Sequence, residues 1–271
     1  MLMPTQADLT YKLRGLQDGW RACQLRGTPK DKNLRSDAKK GSTMENEKKI
    51  SVAIDGPSGA GKSTIARRTA RTLGLVYVDT GAIYRTVGYH AYRSGIDPTD
   101  AASVAALLPE LRISMDYGKD GLQRMYRNGE DVTEQIRLPE ISMFTSHISA
   151  VPEVRAFLLE MQRRMAREYS VVMDGRDIGT VVLPDADVKI FLTASAEDRA
   201  RRRYKELMER GTPKGFDELL REIEQRDYND SHRAASPLRP AEGAVRLDTT
   251  GNTFEQSLQQ ILAIIKERTG L

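Results

Sequence analysis

From residue 49 to residue 268 the apolar positions fall into two alternating kinds of run. Short stretches rich in Val and Ile, beginning with "KISVAI" (49–54) and "LVYVD" (75–79), read as strands. The segment 170–195 supplies two more buried strands, each ending at polar residues, and "AVRLD" (244–248) a last one. Between them lie stretches with helical spacing. "STIARRTARTLG" carries Ile65, Ala66, Thr69, Ala70 and Leu73 on one face and predicts a helix from Ser63 to about Leu73, stopped by Gly74. A helix follows a small-residue turn expected at Asp79, Thr80 and Gly81, and another covers about 100–110 after "DPTD". A long amphipathic helix covers 152–169, charged helices cover 196–211 and 215–233, and a closing helix ends near 268. Five strands alternating with helices predict an α/β fold: a five-stranded parallel sheet with helices on both faces, a three-layer arrangement.

One segment breaks the alternation. "RISMDYGKDGLQRMYRNGEDVTEQIR" (112–137) reads as short β segments joined by turns at Lys119-Asp120-Gly121 and Asn128-Gly129, a small antiparallel insert.

Composition narrows the picture. At 271 residues the chain can bury a core without covalent staples, and its single cysteine, Cys23, excludes an internal disulfide. No apolar run approaches the length of a membrane span and the start shows no secretory pattern, so the expected compartment is the cytoplasm. The formal net charge of +4 invites a nucleic-acid reading, and its distribution argues against one for the folded part. Residues 1–43 hold nine Lys/Arg and four Asp/Glu, whereas 44–271 hold 33 and 34. Within the arm, 8–25 has a short helical pattern around Trp20, and 25–43 has no apolar periodicity and reads as disordered linker. Three readings of the arm compete: a mis-assigned start, a solvated tail, and a basic arm for nucleic acid or a partner. Met44 is a natural start for the folded unit, 44–271.

The candidate chemistry begins with "DGPSGAGKST" (55–64). Gly56 to Ser63 matches G-x-x-x-x-G-K-[ST], with a strand before it and a helix after, the context a phosphate-binding loop requires. Gly56, Pro57, Ser58, Gly59, Ala60 and Gly61 form the loop that would turn backbone N–H groups onto phosphate oxygens. Lys62 would reach the β- and γ-phosphates, Ser63 would offer its hydroxyl to Mg²⁺, and Thr64 continues the helix whose positive end faces the anion.

Together with "DTGAIYR" (79–85), "MDGRDIGTVVLPDADVKIFLTAS" (173–195), "QRDYNDSHRAASPL" (225–238) and the insert, this loop makes 49–268 resemble the bacterial cytidylate kinases, P-loop enzymes that move the γ-phosphate of ATP to CMP or dCMP. The resemblance implies that Thr80, Arg85, Arg155, Arg226 and Arg233 surround the monophosphate, with Asp230 near the sugar. Some relatives carry Ser at the Thr80 position, which keeps the hydroxyl. It implies that Arg176 and Asp177 face the cytosine. Asp174 is placed like the acidic residue that orients Mg²⁺ beside a P-loop. "DRARRR" (198–203), inside a lid of about 196–211, implies catalytic roles for Arg199, Arg202 and Arg203. Arginine suits these positions because its planar fork pairs bidentately with phosphate oxygens.

Blander readings stand beside these. A run such as "RARRRYK" is often a solvated helix face, "DGRD" alone could be a turn held by Asp side chains, and Arg226 and Arg233 could be a surface salt-bridge pair. His90, His147 and His232 lack a nucleophile or metal-ligand pattern and read as structural, and no zinc spacing exists. Another P-loop kinase with a different acceptor is the nearest rival. A regulatory GTPase needs an N-K-x-D motif that the chain lacks, and a nucleic-acid module needs a patterned basic face that the near-neutral body does not offer. ATP with Mg²⁺ and CMP or dCMP are the expected partners of a monomer.

Overall fold

The computed structural model describes residues 49–209, 211–212 and 214–271. The expectations for the arm 1–43 lie outside the described residues. β1 (Ser51–Asp55), β2 (Val76–Asp79), β6 (Val171–Gly175), β7 (Val188–Thr193) and β8 (Val245–Asp248) form one sheet in the order β2-β6-β1-β7-β8, with every neighbouring pair parallel. In register, Asp55 lies opposite Gly175, and Asp79 opposite Asp174. Three strands therefore end together at one edge, where an open α/β sheet presents ligand-binding residues.

Alternation along the strands divides the core between two faces. Val52 and Ile54 of β1 pack with Ile65 and Ala66 of α1 (Lys62–Leu73) and with Ile261 and Ile265 of α8 (Phe254–Thr269). Ala53, between them, joins the opposite cluster with Ile83 and Val87 of α2 (Thr80–Arg93) and Leu158, Met161 and Met165 of α5 (Pro152–Glu168). With both faces covered, the strands can be almost continuously apolar.

No separate turn intervenes at Asp79 to Gly81. The Asp79 carboxylate accepts from the Ala82 backbone N–H at 2.8 Å, so the strand passes directly into a capped helix that begins at Thr80. α3 (Ala101–Leu107) covers most of the expected second helix and is followed by a 3₁₀ turn, Leu108–Glu110.

The insert is a three-stranded antiparallel sheet of β3 (Ile113–Tyr117), β4 (Gln123–Arg127) and β5 (Glu130–Asp131). Its inward residues Ile113, Met115 and Met125 join the core on the α2 side. Two contacts fix it to the main sheet. The Gln123 amide accepts from the Asp79 N–H at 2.9 Å and donates to the Asp79 carbonyl at 3.3 Å, and the Tyr117 hydroxyl donates to the Tyr77 carbonyl at 2.6 Å.

The hydrophobic pattern assigns no element to 138–151, where the structure has α4 (Pro139–Ile148). Ile141, Thr145 and Ile148 are buried along one side of it. A Cβ on Gly88 of α2 would come within 2.3 Å of the Thr145 hydroxyl, so these helices meet at closer range than a side chain would allow. α6 (Ala196–Glu209) and α7 (Phe216–His232) form a pair, joined near one end by an edge-to-face contact of Tyr204 and Phe216.

Candidate active site

The chain leaves β1 through Gly56, whose φ is 151° and whose absent Cβ would lie 1.9 Å from the Leu192 carbonyl oxygen. Only glycine fits there. Gly56, Pro57 and Ala60 form the back of the loop, while Ser58, Gly59, Gly61, Lys62, Ser63 and Thr64 line a cleft of about 330 Å³. The Lys62 ammonium donates to the Pro57 carbonyl at 2.6 Å. Burial, reinforced by nearby Arg176, holds its pKa well below the ordinary lysine range.

Beside the loop, the end of β6 places Asp174 at the centre of a hydroxyl network. Ser63 donates to one carboxylate oxygen at 2.7 Å and Tyr77 to the other at 2.8 Å. The Thr80 hydroxyl donates to the Asp174 backbone carbonyl at 2.7 Å. Burial first, then the charge of Asp79, push the Asp174 carboxyl up to about 6. The Ser63 hydroxyl and Asp174 carboxylate are hard oxygen donors, the type Mg²⁺ takes. No cluster of three or more His, Cys, Asp or Glu occurs among the described residues.

The cleft is also strongly cationic. Arg85, Arg155, Arg176, Arg226 and Arg233 all line it. Arg85 pairs with Asp79 at 3.1 Å, and Arg176 donates to Asp230 at 2.8 Å. Arg155 pairs with Asp177, donates to the Ser149 carbonyl at 3.0 Å, and lies over the Tyr84 ring. Arg233 donates from Nε to the Ser236 carbonyl at 2.7 Å. The Arg226 Nε is buried with no hydrogen-bond partner among the described residues, as is one terminal nitrogen of Arg233. Burial and the neighbouring Arg176 bring the Arg226 pKa down to about 10. Burial lowers Arg233 too, with Arg155 adding to it. Burial would raise Asp230, but Arg176, Arg226 and Arg233 more than offset it and hold that carboxyl below its usual range. Crowded guanidinium groups with unmatched donors are an arrangement whose repulsion a dianion relieves.

The structure thus brings Thr80, Arg85, Arg155, Arg176, Asp177, Arg226, Asp230 and Arg233 into one cleft with the loop. Of the four arginines of α6, the three expected to be catalytic do not line this cleft, although Arg199 and Arg202 lie against the loop glycines Gly59 and Gly61. Arg199 is buried, donates to the Ala194 and Ser58 carbonyls at 2.9 Å, and makes a two-pronged pair with Asp227 at 3.0 and 2.5 Å. Arg202 donates to the Thr249 carbonyl at 2.8 Å and pairs with Asp198. Arg203 pairs with Glu206, which itself lines the cleft.

Sequence reasoning passed over several residues here. Tyr77 and Tyr84 were legible only as strand and helix members. Ser142, Thr145, Ser146 and Ser149 bring a row of hydroxyls into the cleft from α4 and its end, and their regular spacing was the available signal. Asp55, buried beneath the loop, accepts from the Ile178 and Gly179 N–H groups at 2.8 and 2.7 Å. Burial raises its carboxyl to about 6 despite those bonds.

A glycine loop and a cluster of guanidinium groups are two anion-binding elements lining one cleft at the ends of parallel strands. That is the design of a P-loop kinase. Comparison with known proteins narrows the class: the family model described as cytidylate kinase matches residues 52–267. A cytidylate kinase of Geobacter sulfurreducens is 52% identical over 217 residues, covering 80% of this chain and 93% of the relative. One from Desulfitobacterium hafniense is 49% identical over 222 residues, covering 82% and 95%, and one from Caldicellulosiruptor bescii is 48% identical over 217 residues, covering 80% and 96%. The chain belongs to the cytidylate kinase family.

Proposed function

We propose that the protein transfers the γ-phosphate of ATP to CMP or dCMP, giving ADP and CDP or dCDP. The observation that carries this reading is the single cleft lined both by the glycine loop and by the five-arginine cluster with Asp177.

In this reading the loop N–H groups and the N-terminus of α1 hold the donor's phosphates, and Lys62 exchanges the Pro57 carbonyl for phosphate oxygens. Ser63 and Asp174 hold Mg²⁺, which would neutralise charge on the donor's phosphates when bound. Arg85, Arg155, Arg226 and Arg233 grip the acceptor monophosphate, aided by Thr80, and Asp230 faces the sugar. Phosphoryl transfer requires positioning and charge compensation more than covalent chemistry, so a set of fixed cations is the expected machinery. Arg199 acts from behind, by fixing the Ser58 carbonyl of the loop. Arg202 and Arg203 come over the donor as α6 closes.

Arg176 and Asp177 read the base. Cytosine offers a donor at its exocyclic amine and acceptors at N3 and O2, which suits a carboxylate beside a cation. Uracil reverses the first two, leaving buried polar groups mismatched. In this reading the enzyme works as a monomer in the cytoplasm. No described helix is long and apolar enough to cross a membrane.

The test is transfer of label from γ-labelled ATP into CDP with CMP and Mg²⁺ present. Label in CDP supports the reading, and label appearing only as inorganic phosphate contradicts it.

A further inference from the structure

The residues that follow the base-reading pair form a short π-helical turn, Ile178–Val182, with Asp177 at its N-cap position. An aspartate there would ordinarily turn its own carboxylate onto the second or third N–H of the turn, that of Gly179 or Thr180. Asp177 does not: it makes no side-chain cap bond, and its carboxylate pairs with Arg155 and lines the cleft. The orphan donors go instead to Asp55, 123 residues earlier in the chain. One Asp55 oxygen accepts from the Ile178 N–H at 2.8 Å and the other from the Gly179 N–H at 2.7 Å. At the opposite end of the turn, Arg163 of α5 donates to the Val181 and Val182 carbonyls at 2.9 and 3.1 Å.

We propose that Asp55 is a positioning residue for base recognition: by capping the 178–182 turn in place of Asp177, it keeps the Asp177 carboxylate directed at the base. The proposal rests on the base-reading role given above to Arg176 and Asp177. Two carboxylates compete for the Gly179 N–H, and the nearer in sequence is the one needed elsewhere. Removing the distant cap leaves two buried donors unmatched, and the local aspartate can satisfy that of Gly179 by rotating out of the cleft. Because Asp55 also precedes Gly56, one side chain ties the start of the phosphate loop to the base reader across the sheet edge.

The experiment compares wild type with Asp55→Asn. The amide keeps the shape and one acceptor oxygen, and it cannot accept both N–H groups. Initial rates with ATP and Mg²⁺ give kcat/KM for CMP and for UMP, and calorimetric titration gives the affinity for each monophosphate without turnover. The expected result is a loss of roughly 10–10² in kcat/KM for CMP, a CMP-to-UMP ratio at least about tenfold lower, and an ATP KM changed by less than about threefold. A purely structural role would lower both acceptors together and hold the ratio, and that result overturns the proposal. If Asp55→Asn does not fold, the ratio is read in Arg163→Gln, which loosens the same turn from its far end: a lowered ratio supports the proposal and a retained one overturns it. A wild-type protein that ignores CMP would contradict the proposed activity, a different outcome from wild-type discrimination that survives in the variants.

Discussion

The Ser63 hydroxyl, in the first turn of α1, donates to the Asp174 carboxylate at the end of β6 across 2.7 Å. Two elements 111 residues apart in sequence thus place a hydroxyl and a carboxylate side by side at the mouth of the phosphate loop. If these are the protein's two ligands for Mg²⁺, removing the carboxylate charge should weaken the ion's hold without moving the loop. Asp174→Asn is expected to lower kcat by roughly 10²–10³ and to raise the Mg²⁺ concentration needed for half-maximal rate. A Mg²⁺ titration of wild type and variant checks this, and superimposable curves would remove Asp174 from the site.

Lys62 is a buried cation that faces Arg176, so its presence works against the fold even as it equips the site. Lys62→Ala should therefore lose roughly 10²–10³ in kcat while keeping a melting temperature equal to or above that of wild type. Thermal unfolding and steady-state rates on the same preparation separate the two effects. A strongly destabilised variant would make Lys62 a structural residue.

Asp55 gives stability a definite dependence on pH. Its folded pKa is about 6, against an ordinary value of 3.8, so between those values the folded state binds a proton that the unfolded state does not. Stability from this group is then greatest below about pH 4 and falls as pH rises through about 6, by on the order of 3 kcal/mol. Asp55→Asn removes that slope. The melting temperature of the variant minus that of wild type should rise by several degrees from pH 4 to pH 7. His90, whose pKa is lowered chiefly by burial, acts in the opposite sense in both proteins and cancels in the difference. A pH-independent difference would mean that Asp55 is ionised at the same pH whether folded or unfolded.

The folded unit is proposed to be 44–271, since the family match spans 52–267 and the basic arm carries no site motif. A protein starting at Met44 should melt at the temperature of the full chain and turn over CMP at the same rate. Loss of either would make the arm part of the enzyme.

How far the sequence carried the structure depended on whether a feature was local. The phosphate loop and "DGRD" were legible because their chemistry sits in consecutive residues between a strand and a helix. The cap at Asp79 is not legible as a cap, since small polar residues at a strand end suit a turn equally well. α4 was missed: Ile141, Thr145 and Ile148 are all β-branched, so its spacing competed with a strand-like composition. Asp55, Tyr77 and Asp227 could not be found at all, because their partners are decided by the order of strands and the pairing of α6 with α7. Arg199 illustrates the same limit. Sequence marks a basic lid, whereas the pairing of Arg199 with Asp227 and the Ser58 carbonyl is a tertiary fact.

Phosphorylation of cytosine nucleotides in this cleft is tested by kcat/KM for CMP divided by kcat/KM for UMP, with ATP and Mg²⁺ saturating. The mismatch of uracil against Arg176 and Asp177 should give a ratio of roughly 10³ or more, about 4 kcal/mol of discrimination. A ratio near one, or an acceptor preferred over both CMP and dCMP in the same assay, would contradict it.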